Sequence, residues 1–447
     1  MFNRKDKEQE NKPQEGSQPQ DGDKAQEGEK GAEAVPDNSL TAAFAQWVAE
    51  ARASKMDFIV FMIQKILQEA ANRQASDVHF QPGRLGVEVR FRLDGVLHIA
   101  GMLPLANVHQ IAARIKVLAN LMTYKVDLPQ EGRVPKGLIP GVDREIRISS
   151  APALYGERIV ARFFSSGNLY QTPDVLGFTP EILEQLPLAI TRTSGAILVT
   201  GPAGSGKTTT TAALLRSLVS QKITDGIVRS IVSLEDPIEH AIDGISQMEI
   251  SQTGETTLDR LLIALMRQDP DVIMVGEIRD RATAEASMQA ALTGHLLLST
   301  FHSTDAASAI SRFLELGVEP FTLRSSLSYV LCQRLLRRLC PDCAEKIESE
   351  TPKTIHVIGR PKTIHQWYEP KGCDKCNGTG YLGRFLVAEA LPLNSEEMAD
   401  AILERRETSV LQQIGESKGM VPFHELAVKY IEDGTTSPIE ILRVLGG

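Results

Sequence analysis

Hydrophobic and polar positions repeat at two different periods along the chain, and the change of period divides it. From Asp57, an N-cap residue, the apolar run Phe58-Ile59-Val60-Phe61-Met62-Ile63 continues to Asn72 with the grouping of a helix. Beyond it, Val78-His79-Phe80 and Val87 to Leu93 alternate residue by residue, separated by Gln81-Pro82-Gly83 and closed by Asp94-Gly95. This predicts strand, turn, strand and a further turn. Ile111 to Leu121 reads as helix, and Gln130–Val134, Arg144–Ser149 and Glu157–Phe163 form a second β region. A shorter apolar stretch, Leu40 to Ala53, predicts an amphipathic helix that docks on this region or on a partner, and docking on the region is preferred.

From Phe178 onward short apolar runs alternate with helix-forming stretches. The predicted order is strand Ala196–Thr200, helix Lys207–Val219, strand Ser230–Leu234, helix Leu258–Arg267, strand Val272–Val275, helix Ala282–Leu292 and strand Leu296–Ser299. That order belongs to a mainly parallel sheet wrapped by helices. The polar segment from Ser165 to Gly177 is read as an interdomain linker. Residues 1–38, almost free of apolar side chains, are read as a disordered polar tail. The domain plan is therefore a tail (1–38), a short helix and linker (39–56), an N-terminal α+β domain (57–164), the linker (165–177) and an α/β domain (178–447).

Composition narrows the reading. A hydrophobic content of 42% suits a core-forming globular chain, and a net charge of −9 leaves no broad basic surface for nucleic acid. No stretch reaches the roughly 18 apolar residues that would span a bilayer, and the start Met1 to Lys7 is too polar for a signal peptide. A cytoplasmic protein is expected. Four of the five cysteines form two C-x-x-C pairs, which in a reducing compartment points to metal rather than disulfides.

The strongest local signal is Gly201-Pro202-Ala203-Gly204-Ser205-Gly206-Lys207-Thr208, preceded by an apolar strand and followed by helix-forming residues from Thr209 onward. It matches the phosphate-binding pattern G-x-x-x-x-G-K-[ST] in the strand-to-helix context that pattern requires. Backbone N–H groups of such a loop surround phosphate oxygens at a helix N-terminus. Lys207 would reach the β- and γ-phosphates of a nucleotide, and Thr208 would join the Mg²⁺ shell. Residues 201–209 are thus the candidate ATP-binding loop.

Three further stretches sit at predicted strand ends. Glu235, Asp236 and Glu239 are placed to order Mg²⁺ or its waters, with Glu235 as a catalytic candidate. Val272-Ile273-Met274-Val275 runs into Gly276-Glu277, where the usual second motif of such proteins has Asp in place of Gly276; Glu277 is the candidate to polarise the attacking water. His302, in the polar end of the strand that contains Thr300, is a candidate sensor that contacts the γ-phosphate or the catalytic acid, and His295 is either functional or structural. Asp77 and His79 invite a metal reading, but with no third ligand nearby a structural role is preferred. The many arginines of the β regions fit either a solvated sheet face or groups that reach a neighbouring subunit's phosphate.

Cys340-Pro341-Asp342-Cys343 and Cys373-Asp374-Lys375-Cys376, separated by twenty-nine residues, supply four thiolates for a closed tetrahedral Zn²⁺ site. The glycines Gly378 and Gly380 after the second pair permit tight turns that aim N–H groups at sulfur. Cys332 is left over as a buried thiol.

Taken together, the 201–208 loop, the Glu235–Glu239 acidic box, the segment Leu265–Asp280 and the segment Gly294–Asp305 resemble the Walker A, Asp, Walker B and His boxes of the secretion ATPase family. Its members are the motors of type II secretion, type IV pili and type IV secretion. Ala75–Pro82, Phe91–Gly95 and Gln130–Arg133 resemble the second N-terminal domain of the pilus-assembly and type II secretion members, so the likeness runs from about Asp57 to Pro392. The resemblance implies a P-loop, RecA-like α/β domain beside a smaller PAS-like α+β domain and a four-cysteine zinc module. It also implies a homohexamer that uses ATP and Mg²⁺, acts on an inner-membrane platform protein and sits peripherally at that membrane without binding nucleic acid. Arg133 and Arg147 correspond to family arginines that approach the phosphates. Assembly and export motors carry the four-cysteine module, whereas retraction motors typically lack it. Two features depart from the family: a polar tail and a short helix stand where larger members have a further N-terminal domain, and Gln81 stands where an acidic residue is common. A DNA-transfer pilus motor, a nucleic-acid translocase and a nucleotide-binding scaffold without turnover are the competing readings.

Overall fold

The chain folds into two bodies, each of which contains both helices and strands. A computed structural model of the chain describes residues 39–164, 172–220, 228–250 and 257–446. The predicted tail and most of the predicted linker lie outside the described residues.

Helix α1 (Leu40–Ala53) buries Leu40, Phe44, Trp47 and Ala51, one side chain per turn, and so docks on the chain's own N-terminal region. Helix α2 (Phe58–Asn72) starts where predicted, because the Asp57 carboxylate accepts the N–H groups of Ile59 and Val60 at 3.0 and 3.1 Å. Strands β1 (Asp77–Pro82), β2 (Gly86–Leu93) and β3 (Val96–Pro104) follow, then helix α3 (Val108–Leu118) and strands β4 (Gln130–Val134), β5 (Ile146–Ala153) and β6 (Gly156–Phe163). The six strands pair in the order β3-β2-β1-β6-β5-β4, and every pairing is antiparallel. Asp94 and Gly95, both at positive φ, make the tight turn between β2 and β3. One sheet face packs on the helices; Trp47 stacks on Phe91 with ring centroids 6.2 Å apart. Phe44 covers Gly101 so closely that a Cβ there would lie 2.1 Å from its ring.

The second body begins with helix α4 (Pro180–Ile190), strand β7 (Gly195–Thr200) and helix α5 (Lys207–Ser220). It continues through β8 (Ile231–Glu235), β9 (Ser246–Glu249), α6 (Leu258–Leu265), β10 (Val272–Val275), α7 (Arg281–Leu292), β11 (Leu296–Phe301), α8 (Ala306–Glu315), α9 (Pro320–Ser326) and β12 (Leu327–Leu339). A hairpin, β13 (Ala344–Val357) and β14 (Arg360–Pro370), precedes β15 (Tyr381–Pro392) and helices α10 (Glu396–Leu403), α11 (Thr408–Ser417), α12 (Phe423–Glu432) and α13 (Pro438–Leu445). The sheet order is β15-β12-β7-β11-β10-β8-β9, parallel except for the β12–β15 pair. Every residue of β7, β10 and β11 is buried, as a strand covered on both faces requires. Ala196 and Leu198 point into one core and Ile197 and Val199 into the other, so the helices form a layer on each side.

The C-terminal helices are tied in by buried charge. Glu440, fully buried, accepts from the backbone N–H and the guanidinium of Arg337 at 2.9 Å and from Arg443 at 2.8 Å. Glu389 accepts the N–H of Phe423 at 2.7 Å and of Ala306 at 3.2 Å, and its burial pushes its carboxyl up to about 7. The two bodies meet where Arg73 donates to Asn377 and the Gly383 N–H donates to Asp94 at 3.1 Å.

Truncating Phe44 to Ala should destabilise the N-terminal body by about 3 kcal/mol, the usual cost of emptying an aromatic site. Urea unfolding followed by Trp47 fluorescence measures it; an unchanged midpoint would mean that α1 is not part of this core.

Candidate active site

Strand β7 delivers the chain to its C-terminal edge, and the loop 201–206 turns it into α5. Gly201 has φ +140°, and a Cβ there would stand 2.4 Å from the Gln333 carbonyl, so no larger residue fits where β12 crowds the turn. The C-terminal ends of β7, β8, β10 and β11 surround a pocket of about 420 Å³, in the crevice where parallel α/β sheets bind ligands. Its lining includes Ala203, Lys207 and Thr208 of the loop, Glu235, Asp236 and Glu239 of the acidic box, Glu277, Arg279 and Asp280 after β10, and Thr300 and His302 at the end of β11. The four stretches singled out in the sequence therefore converge on one cavity.

Its polar groups are mutually engaged. Glu277 receives His302 Nε2 at 2.6 Å on one oxygen and Arg279 Nε at 2.7 Å on the other. The other ring nitrogen of His302, Nδ1, lies 3.0 Å from the Gly201 carbonyl, so His302 spans from the Glu277 carboxylate to the start of the loop. Lys207 Nζ donates to the carbonyls of Gly201 and Pro202 at 2.9 and 3.0 Å. Burial lowers its pKa, and the Glu277 carboxylate opposes that shift. Glu235 is fixed by Ser233 Oγ at 2.7 Å and Gln247 Nε2 at 2.9 Å, both on the same oxygen. The oxygen donors Thr208, Glu235, Asp236 and Glu239 suit a hard cation such as Mg²⁺.

Gly276 explains the departure from the usual acidic motif. Its N–H donates to the Leu234 carbonyl at 2.7 Å, and a Cβ would meet that carbonyl at 3.1 Å and the Glu235 Cα at 3.4 Å. Strand β8 would have to give by a few tenths of an ångström to admit a side chain here, and the acid is carried one residue later.

Other sequence candidates lie elsewhere. His295 immediately precedes β11, at the opposite end of the strand from the pocket, its Nδ1 3.0 Å from the Ala290 carbonyl. Arg133 and Arg147 do not line the pocket. They are register partners on β4 and β5, where Arg133 pairs with Glu145 at 3.2 Å and Arg147 with Glu131. Asp77 is committed to Arg162 at 2.8 Å and Arg92 at 3.5 Å, which fits the structural reading. Burial lowers the pKa of His79.

Among the described residues the one cluster of metal-ligating side chains is Cys340, Cys343, Cys373 and Cys376, whose sulfurs all lie within 4.8 Å of one another. The pairs Cys340–Cys373, Cys343–Cys376 and Cys373–Cys376 are 3.8, 3.8 and 3.7 Å apart. Tetrahedral bonds of about 2.3 Å to zinc would set sulfurs about 3.8 Å apart, so the donor set fits that ion. The N–H groups of Cys373 and Gly380 donate to the Cys376 sulfur at 3.1 and 3.2 Å. Burial alone would push the Cys376 thiol up, but these donors and the neighbouring thiols bring it down to about 7.

With this geometry in place, a family profile described as "Type II/IV secretion system protein" matches residues 52–443. The chain belongs to that family. Over 394 residues it is 39% identical to the type IV pilus assembly ATPase TfpB of Acinetobacter baylyi, a match covering 87% of this chain and 65% of that protein. Over 386 residues it is 39% identical to type II secretion system protein E of Klebsiella pneumoniae, covering 86% and 76%. The chain thus spans just under two thirds of the Acinetobacter relative's length. The fold is shared with the ATPase DotB of Legionella pneumophila, at 20% identity and a TM-score of 0.62, over 86% of this chain and 95% of that one. No helix among the described residues is long and apolar enough to cross a membrane.

Several residues around the pocket carried no motif in the sequence: Gln247 holds Glu235, and Gln333 and Arg334 lie behind the loop. Arg279, inside the Leu265–Asp280 segment but given no role there, holds Glu277. Placing Asp at Gly276, to restore the usual motif, should lower stability by about 1 to 3 kcal/mol through overpacking against β8. Denaturant unfolding of Gly276→Asp reads this directly, and a variant as stable as the parent would show that β8 can yield.

Proposed function

We propose that this chain is the ATP-hydrolysing motor subunit of a type IV pilus assembly or type II secretion machine. The observation that carries the reading is the contact chain from Glu277 through His302 to Gly201, which joins a carboxylate to the phosphate-binding loop within one pocket. Glu277 accepts a proton from the attacking water, the role of a general base held within reach of its substrate. His302, touching both the base and the loop, reports whether the γ-phosphate is present. Lys207 leaves the loop carbonyls for the β- and γ-phosphates, which replace neutral acceptors with charged ones. Thr208, with the acidic box around Glu235, would hold Mg²⁺, whose charge would offset that of the phosphates.

Arg133 is exposed and Arg147 half-buried on the N-terminal sheet, and in this proposal they complete a site when subunits assemble as a homohexamer. Hydrolysis then alternates the two bodies between closed and open arrangements, and the ring works on an inner-membrane platform protein, at which the chain is held peripherally from the cytoplasm. The N-terminal α+β body takes the place of the PAS-like domain. Cys340, Cys343, Cys373 and Cys376 bind one structural zinc ion. That four-cysteine module favours assembly or secretion over retraction, and the names of the relatives agree with this.

Steady-state hydrolysis and light scattering test the assignment. Glu277→Gln should bind ATP within a few-fold of the parent yet turn over about 100-fold or more slowly, the size of a lost general base. Normal turnover would move the catalytic acid to the Glu235–Glu239 box.

The zinc assignment predicts about one equivalent of metal per chain, released by thiol-specific displacement and measured with a chromogenic chelator. Cys343→Ser should lose the metal and melt at a lower temperature; metal-free parent protein with the same melting point would remove zinc from the account.

A further inference from the structure

Behind the phosphate-binding loop lies a side chain that none of the motifs includes. Gln333 on β12 is fully buried. Its Nε2 donates to the Ser205 carbonyl at 2.8 Å, and its Oε1 accepts from Thr210 Oγ1 at 2.9 Å. Its own main-chain carbonyl accepts from Arg334 Nη1 at 3.0 Å and is the atom that crowds Gly201. One residue therefore touches the start of the loop, its last turn and the first turn of α5. The next residue back, Cys332, is in register with Thr200 at the end of β7, so the sheet itself fixes where Gln333 stands.

We infer that Gln333 is a positioning residue that sets the peptide orientation of the loop for phosphate binding, an inference that rests on the ATPase reading above. The argument is stereochemical. Across a trans peptide the carbonyl and the following N–H point in opposite directions. Holding the Ser205 carbonyl toward β12 turns the Gly206 N–H the other way, to the side where a loop of this type meets phosphate. Gly206 is at φ +89°, and a Cβ there would lie 3.2 Å from Gln333 Nε2, so the amide also occupies the space into which the loop would otherwise relax. The Thr210 hydroxyl fixes the carboxamide: accepting it at Oε1 leaves Nε2 as the group that faces Ser205. Gln333 touches no reacting atom in this scheme; it acts through the Ser205–Gly206 peptide.

The test is MgADP binding by calorimetry on the full chain, with zinc content and nucleotide-free melting as controls. Gln333→Met keeps the volume and removes both hydrogen bonds; its Kd should rise about tenfold, as leaving a buried acceptor unpaired implies. Thr210→Val removes only the fixing bond and should raise Kd about threefold. The double variant should be no weaker than Gln333→Met alone, because both changes act through one carboxamide. A purely structural role would lower the melting point of these variants and leave the Kd of folded protein unchanged. Parent protein that fails to bind MgADP overturns the ATPase reading and this inference with it. Parent that binds, with Gln333→Met within twofold, overturns the inference alone. Should Gln333→Met not fold, Thr210→Val decides: a Kd equal to the parent's overturns the inference, and a threefold rise supports it.

Discussion

The site depends on how closely the C-terminal ends of four parallel strands approach one another. Strands β8, β10, β11 and β7 each end in a residue whose backbone or side chain meets the next: Gly276 N–H on the Leu234 carbonyl, Thr300 Oγ1 on the Gly276 carbonyl at 2.6 Å, and Gly201 N–H on the Phe301 carbonyl at 3.2 Å. Parallel strands lie about 4.8 Å apart, so three steps across the sheet give this edge a width of about 14 Å. With the backbones locked at that spacing, Glu277 and His302 reach each other across the edge of the pocket. The glycine at 276 is the cost of this closeness, and it is also why the acid follows the strand rather than ending it.

The same crowding decides the electrostatics. Lys207, Arg279, His302, Glu277 and Asp236 share one partly buried edge, where an effective dielectric well below that of water strengthens every pair. Burial disfavours the charge of Lys207, the Glu277 carboxylate offsets this only in part, and the groups in contact with Nζ are the carbonyls of Gly201 and Pro202 and, at 3.5 Å, His302 Nδ1. A polyanion entering this edge supplies what the lysine lacks. The site therefore has a reason to favour a phosphate chain over a single weak anion, independent of any motif.

How much of this was legible in the sequence follows from which forces were local. The helix at Phe58–Asn72, its Asp57 cap, the loop at 201–208 and the strands from Ala196 to Ser299 follow from periodicity and turn chemistry that neighbouring residues decide. Strands β12 and β15 do not. Leu331-Cys332-Gln333-Arg334-Leu335-Leu336 spaces its apolar residues in a way that suits helix or strand, and pairing with β7 on one side and β15 on the other settles it. Gln333 was invisible for the same reason: its importance lies in being buried against a loop over a hundred residues away. The hairpin β13–β14 arises inside the spacing between the cysteine pairs, where Ile355, Val357, Ile364 and Trp367 find the C-terminal helices as their core.

The cysteine module carries a consequence beyond its own stability. Asn377, immediately after Cys376, receives Arg73 from the end of α2, and Gly383 with Arg384 meets Asp94 at the β2–β3 turn. The knuckle that zinc would set is thus the surface on which the N-terminal body rests. Yet these contacts are few and partly solvated, and exposed ion pairs contribute at most about 1 kcal/mol each. Such a seam holds the bodies in register without welding them, because what separates them is several weak polar contacts and not a shared apolar core. Rigid cores on either side, made by the sheets, and a polar seam between them are what the proposed opening and closing of the two bodies would need.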